Sequence, residues 1–473
     1  MLTIAYARPA DFLARVPFDC EIDSELRRID EVLDDPKVML AVTNDLARSA
    51  PDARWNGRPS TPAEVTLRMA VARRLMNWGY RAAESEVAGS AKWRWFCRVY
   101  SQPVPDHSTL RDREALIRPA TLKRVNARLL QVAQARGVTR GEKLRTDGTV
   151  METDIHYPTD SRLLDDSVRV LGRSLARARR LLRPRPKDKP LFRNRHRQAH
   201  RLAREIAQRL RGTKGQKTPK KKAERQYRRL VAVTETTLAQ VEAVLERLQA
   251  KANRSAQALV VSLQHYLPLV RRVIDQTRRR VFDGQSVPAT KKLVSLFEPH
   301  TAVIRRGKTP PRDTEFGRKI WYSEVEGGLI SDYRLLRGNP PDEQQWPASV
   351  RQHQQLFGHP PQLATADRGV FSPANEQLAR AAGIEFVALP QPGHKDEARQ
   401  AHEAQPWFRA ALRFRAGIEG RISHLRRARH LDRCHNRGEL GLERWLGWGV
   451  MVNNLVVLAT RLARRRRKPV CHA

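Results

Sequence analysis

At 473 residues the chain is too long for one ordinary hydrophobic core, so two or three domains are expected. Hydrophobic residues make up 40% of it, which excludes wholesale disorder. With 89 Lys and Arg against 50 Asp and Glu, the formal charge is +39 and the pI about 11.2, so polyanions, nucleic acid before anionic membrane, are the expected partners.

The first sixteen residues hold no continuous apolar run after a basic cluster, which argues against a secretory signal and for a cytoplasmic, nucleoid-associated protein. Residues 1 to about 140 read as helical. Ser60-Thr61-Pro62 signals a helix start, followed by Val65, Leu67, Met69, Val71, Leu75 and Met76, with a stop at Gly79. Further short helices begin at Arg81 and Ala91, and Asp106 to Ser108 can cap another. Short helices with tight turns and arginine on exposed positions fit a helix-turn-helix-like DNA reader, and equally a plain supporting bundle.

Residues 143–153 switch to small and β-branched types and read as a strand. From Arg162 a helical seam runs through Leu164, Val168, Leu171, Leu175, Ala178 and Leu182. Between Arg173 and Arg229 stand 23 Lys and Arg against Asp188, Glu205 and Glu224, with a loop-like tip at 211–222. Two more helical seams follow. The stretch 161–295 therefore reads as a basic helical insertion whose tip, with Lys220, Lys221 and Lys222, touches DNA phosphates.

After Pro299 strand character returns in three extended segments. A helix from Pro347, a short apolar run ending at Asp367, a helix at 374–382, a strand near 384–390 and a long helix from Pro406 to Arg429 follow. This predicts an α/β catalytic domain with a mixed sheet (141–160 and 296–440), preceded by an N-terminal helical domain (1–140) and interrupted by the insertion. Residues 441–473 read as a C-terminal helix and basic tail. The apolar stretch 445–460 is shorter than the roughly 20 residues of a membrane span and carries Asn453 and Asn454, so a buried helix and no membrane are expected. Cys20, Cys97, Cys434 and Cys471 show no CxxC spacing and read as ordinary thiols.

Three acids stand apart from the rest. Asp147 sits mid-strand before Gly148, which is expected to leave room for a ligand; Asp367 should project from the carboxyl end of a strand; Glu419 lies on the late helix. At about 100° per residue, Arg415, Glu419 and Arg426 fall within roughly 40° of one another, beside an apolar stripe of Phe414, Ile418, Ile422 and Leu425. Converging carboxylates repel unless cations neutralise them, and such oxygen ligands suit Mg²⁺ or Mn²⁺ over a phosphodiester. Singly, each acid reads as readily as a turn residue or an i,i+4 ion pair.

At these positions the sequence resembles bacterial insertion-sequence transposases of the DDE class, in the group with a Tyr-Arg-Glu-Lys signature and particularly its ISNCY-like members. Segments 146–164, 364–384 and 414–459 resemble the regions around the family's first, second and third acids, and 57–98 its N-terminal helical domain. The resemblance implies an RNase H-like fold, with Asp147, Asp367 and Glu419 as catalytic metal ligands for Mg²⁺, or Mn²⁺ in its place. It also implies that Arg415 and Arg426 contact DNA phosphates near the cut. The signature Tyr falls on Leu412 and the Lys on Arg426, and the first two acids stand 220 residues apart with the insertion between them. The implied activity is binding of terminal inverted repeats, metal-dependent strand cleavage and transfer to target double-stranded DNA, by a homodimer. The alternative is a DNA-binding protein derived from a transposase that has lost catalysis.

Overall fold

In the computed structural model of the protein, the described residues among the first 140 form seven helices: α1 (Ser24–Leu33), α2 (Pro36–Arg48), α3 (Ala63–Leu75), α4 (Tyr80–Gly89), α5 (Ala91–Phe96), α6 (His107–Leu116) and α7 (Pro119–Ala135). The structure describes every residue except 14, 16–21, 49–59, 183–191, 212–218, 306–313 and 467–473, so most of the expected tip loop, the end of the basic tail, Cys20 and Cys471 lie outside the described residues. Contacts divide the chain into two compact units, Met1–Glu152 with Arg318–Ala473, and Thr153–Gly317.

Helix α3 is the axis of the N-terminal helices. It is buried on every side, and its arginines are buried with it. The expectation of arginine on exposed positions fails here because each guanidinium finds partners inside. Arg68 pairs with Asp30 at 2.6 Å and Glu64 at 3.2 Å, Arg73 with Glu114 on α6 at 2.6 Å, and Arg74 donates to the carbonyls of Arg429 and Trp445. A buried charge is tolerated only when paired and hydrogen-bonded. Gly79 does not stop α3, which already ends at Leu75; it precedes the first turn of α4. Asp106 caps α6 as expected, accepting from the amides of Ser108 and Thr109.

The sheet begins with β1 (Lys143–Glu152). The second unit then intervenes in the chain with α8 (Asp160–Leu182), α9 (His196–Arg209), α10 (Glu224–Gln249), α11 (Arg254–Thr277) and β2 (Ala302–Arg305). These four helices pack on one another around their own core, which includes Leu171, Ile206, Leu230 and Leu263. Within this unit β2 pairs antiparallel with the first residues of β3 (Thr314–Val325), and β3 continues into the first unit.

There β3 is followed by β4 (Leu329–Leu335), α12 (Trp346–Phe357), β5 (Leu363–Thr365), α13 (Pro373–Ala381), β6 (Phe386–Ala388), α14 (Glu397–Ala404), α15 (Pro406–Ala428) and α16 (Glu439–Arg466). The strand order in the first unit is β4-β3-β1-β5-β6, with β1, β5 and β6 mutually parallel and β3 antiparallel to β4. The two-residue alternation of a strand sorts the sheet's two faces. Ile320 and Tyr322 join Met151, Ile418 and Ile422 under α15, whereas Trp321 and Leu144 join Trp346 and Val350 under α12.

Helix α16 runs well past the apolar stretch legible in the sequence and is long and apolar enough to cross a membrane. Most of its apolar side chains are instead buried, packed against α1, α3, α7 and β4. Asn454 is the polar anchor of that contact. Its Nδ2 donates to Asn126 Oδ1 on α7 and to the Ile330 carbonyl on β4, each at 2.8 Å, and its Oδ1 accepts from the Ile330 amide at 3.0 Å. Replacing it takes the acceptor from the buried Ile330 amide and a partner from Asn126 Oδ1, while the Ile330 carbonyl keeps Asn126 Nδ2 at 3.1 Å. Asn454→Ala should therefore lower unfolding free energy by about 2–4 kcal/mol in a urea titration, with α16 still formed by circular dichroism.

Helix α12 is pinned to the start of β1 by His353, whose ring bonds the Gly141 carbonyl at 2.8 Å while Nδ1 is buried with no hydrogen bond. Burial pushes His353 down to about 4 from its ordinary 6.5. Between those values the unfolded chain binds the proton and the folded chain does not, so stability falls as pH drops from 6.5 toward 4. His353→Gln should flatten that acid limb by up to about 1.4 kcal/mol per pH unit, measured by denaturant titration at each pH.

Candidate active site

The site is assembled from β1, the turn after β5, and α15. Arg145 and Asp147 are two residues apart on β1 and share the face under α15, as strand alternation requires. Gly148 therefore faces the other way. The space above it is filled from the opposite face, where a Cβ would meet Trp321 and Asp342 Oδ1 at 3.3 Å. The expectation that Gly148 opens room for a ligand beside Asp147 is thus corrected: its missing side chain admits Trp321 and Asp342.

Asp367 lies two residues beyond the last residue of β5 and caps the short 3₁₀ turn Arg368–Val370. Glu419 sits in the middle of α15, 64% exposed. Arg415, one turn earlier, brings all three acids together. Its Nη1 is 3.0 Å from Glu419 Oε1, and its Nη2 is 3.5 Å from Asp147 Oδ2 and 3.8 Å from Asp367 Oδ2. Both aspartates thus lie within 4 Å of a single guanidinium nitrogen, and Glu419 reaches the same guanidinium. Three like charges gather at this short range only around a cation, and Arg415 supplies it.

Arg415, for which the resemblance implies a DNA phosphate contact, engages the acids in this structure. Its Nε is buried without a hydrogen bond, so the guanidinium is held by these acids and not by a neutral network. Beside Asp367 and Arg415 opens a cavity of about 380 Å³, edged by Arg368, Lys395 and Leu412. Arg426, two turns beyond Glu419, is half-buried near Tyr322 and makes none of these contacts with the acids. Lys220, Lys221 and Lys222 belong to the second unit, on the 3₁₀ turn Pro219–Ala223, where Lys221 and Lys222 are exposed.

Sequence reasoning missed the residues that hold the frame. Glu324 on β3 is wholly buried and takes two cations, Arg145 Nη2 at 2.8 Å and Arg421 Nε at 3.2 Å. Arg145 also donates to the Phe414 carbonyl and stacks on the Phe414 ring. A methyl at Gly417 would collide with the Arg145 guanidinium, which explains a glycine mid-helix despite a cost of roughly 1 kcal/mol there. Glu324 thereby fastens the helix bearing Glu419 to the strand bearing Asp147. Asp342, paired with Lys319 at 2.7 Å, fills the opposite side between Gly148 and Gly369. The one sequence signal for any of these was the Arg145–Asp147 spacing on a single strand face. Glu324→Ala would strand two largely buried cations; an unfolding titration should show a loss of about 3–5 kcal/mol, with Glu324→Gln intermediate.

Comparison with known proteins bears on the N-terminal helices. Residues 16–113, which include the buried Arg68 and its partners Asp30 and Glu64, match the family model described as Transposase domain (DUF772). No curated protein and no solved structure matches the chain. The match supports a place among the transposases, and with it an enzyme class that cuts and transfers DNA.

Proposed function

We propose that this chain is a DDE transposase with an RNase H-like catalytic sheet, which binds the terminal inverted repeats of its element, cuts the strand at each end and joins the freed 3′-OH to target DNA. The observation that carries this reading is the meeting of Asp147, Asp367 and Glu419 at one guanidinium. A mixed sheet supports it, with the first acid on the central strand, the second just past the adjoining parallel strand, and the third on a helix packed across both. The match to a transposase domain supports it independently from the other end of the chain.

The donor set fits a hard divalent ion. Three carboxylate groups gather where a positive charge is already required, and carboxylate oxygens are the ligands Mg²⁺ and Mn²⁺ prefer. Asp147, Asp367 and Glu419 would hold such ions. When bound, they supply Lewis-acid activation of the attacking oxygen and charge neutralisation at the leaving one.

The chain's own residues do the rest. Arg415, freed from the acids, would take a backbone phosphate, with Arg426 about three turns along α15 for the next. The basic second unit, with Lys220, Lys221 and Lys222, gives sequence-independent grip through counterion release. The N-terminal helices are assigned to repeat recognition. Holding two ends at once calls for a homodimer.

The test is incubation of the full chain with DNA carrying the element's ends and a target duplex, with and without Mg²⁺. Nicked ends and end–target joints should appear only with the metal. Asp147→Ala, Asp367→Ala and Glu419→Ala should each lower both products by about 10²–10³-fold, the scale of losing one charge-stabilising group. If those variants cut as the parent does, the site is wrong; if they and the parent bind the ends but never cut, the chain is a DNA-binding protein alone.

A further inference from the structure

A second cluster of metal-ligating side chains lies in the helical second unit. Asp165 is on the second turn of α8; His196 and His200 stand four apart at the start of α9, and so on one face of that helix. His200 Nδ1 is 2.9 Å from Asp165 Oδ2, and His196 Nε2 is 3.8 Å from Asp165 Oδ1. One ligand atom from each of the three residues lies within 4.8 Å of the others.

We propose that Asp165, His196 and His200 form a binding site for Zn²⁺ or a chemically similar transition-metal ion, separate in type from the carboxylate site. Two imidazoles and a carboxylate are the ligand mixture that zinc takes and that magnesium does not. Tetrahedral zinc with bonds of about 2.0–2.2 Å sets neighbouring ligand atoms roughly 3.3–3.6 Å apart, and one donor atom from each of the three residues lies within 4.8 Å of the others, close enough for side-chain adjustment to reach that spacing. A simple His–Asp hydrogen bond accounts for His200 alone. It leaves Asp165 Oδ1 buried with no hydrogen bond and His196 aimed at it from beyond bonding range. An ion between the three groups satisfies all of them.

The three ligands leave a coordination position for solvent or an anion. Asp165 and His200 also line a cavity of about 640 Å³ whose other walls carry Arg162, Arg204, Arg280 and Lys292, so that position opens toward positive charge. The ion would fasten α9 to α8 and so fix the direction in which the arginines of α9, among them Arg197, Arg201 and Arg204, leave the bundle.

The test uses the full chain dialysed against chelator-buffered Zn²⁺ with millimolar Mg²⁺ present, followed by metal quantification and a thermal melt. The parent should retain one zinc per chain and melt higher with it. His196→Ala and His200→Ala should weaken zinc binding at least about 10–100-fold, the cost of losing even an outer partner of a metal ligand, and lose the shift in melting temperature. Asp147→Ala should bind zinc as the parent does. No zinc on the parent at micromolar free metal, or equal zinc on both histidine variants and the parent, overturns the proposal. The parent measurement decides even if a variant fails to fold.

Discussion

Mutual repulsion of three carboxylates is the constraint on which the candidate site depends. Asp147, Asp367 and Glu419 come from a strand, a turn and a helix that are far apart in the chain, and nothing in their local structure draws them together. They meet because β1 and β5 pair in parallel, α15 lies across both, and Arg415 offers one guanidinium to all three. Arg415 is itself only 19% exposed, so the charge balance is set in a partly dry environment where it counts for more than at an open surface. A frame that holds like charges at such range has to be stiff. Glu324 provides stiffness by tying Arg145 of β1 and Arg421 of α15 to the one strand between β1 and β4.

Arginine therefore serves two ends in this molecule. The net charge of +39 points outward, toward a polyanion. Yet Arg68, Arg73, Arg74 and Arg318 are buried, and each binds acids or carbonyls that join separate elements. Arg74 reaches from α3 to the end of α15 and to α16, so the helices that match a transposase domain are tied by hydrogen bonds to the end of the helix bearing Glu419. A planar fork with five donors suits this bridging, and lysine would not replace it.

Much of the scaffold was legible in the residues. The change from a period of two to a period near 3.6 located β1 at 143–153, against Lys143–Glu152 observed, and α15 at 406–429, against Pro406–Ala428. The capping Asp106 and the apolar stripe of Ile418, Ile422 and Leu425 behaved as local chemistry dictates. What escaped depends on pairings across long stretches of chain. Gly148 looked like space for a ligand because its neighbours through space, Trp321 and Asp342, cannot be read from the strand alone. That Arg415 stands beside two more acids is likewise not legible locally, since both come from distant parts of the chain. His196 and His200 carry a helix-face spacing, but their third partner, Asp165, lies on another helix.

The most direct test of the account is anomalous diffraction from crystals of the full chain soaked in Mn²⁺. The account predicts manganese at about 2.1 Å from oxygens of Asp147, Asp367 and Glu419, with the Arg415 guanidinium drawn away from them. Crystals in which the three acids still close on Arg415 and no manganese is found among them would contradict it.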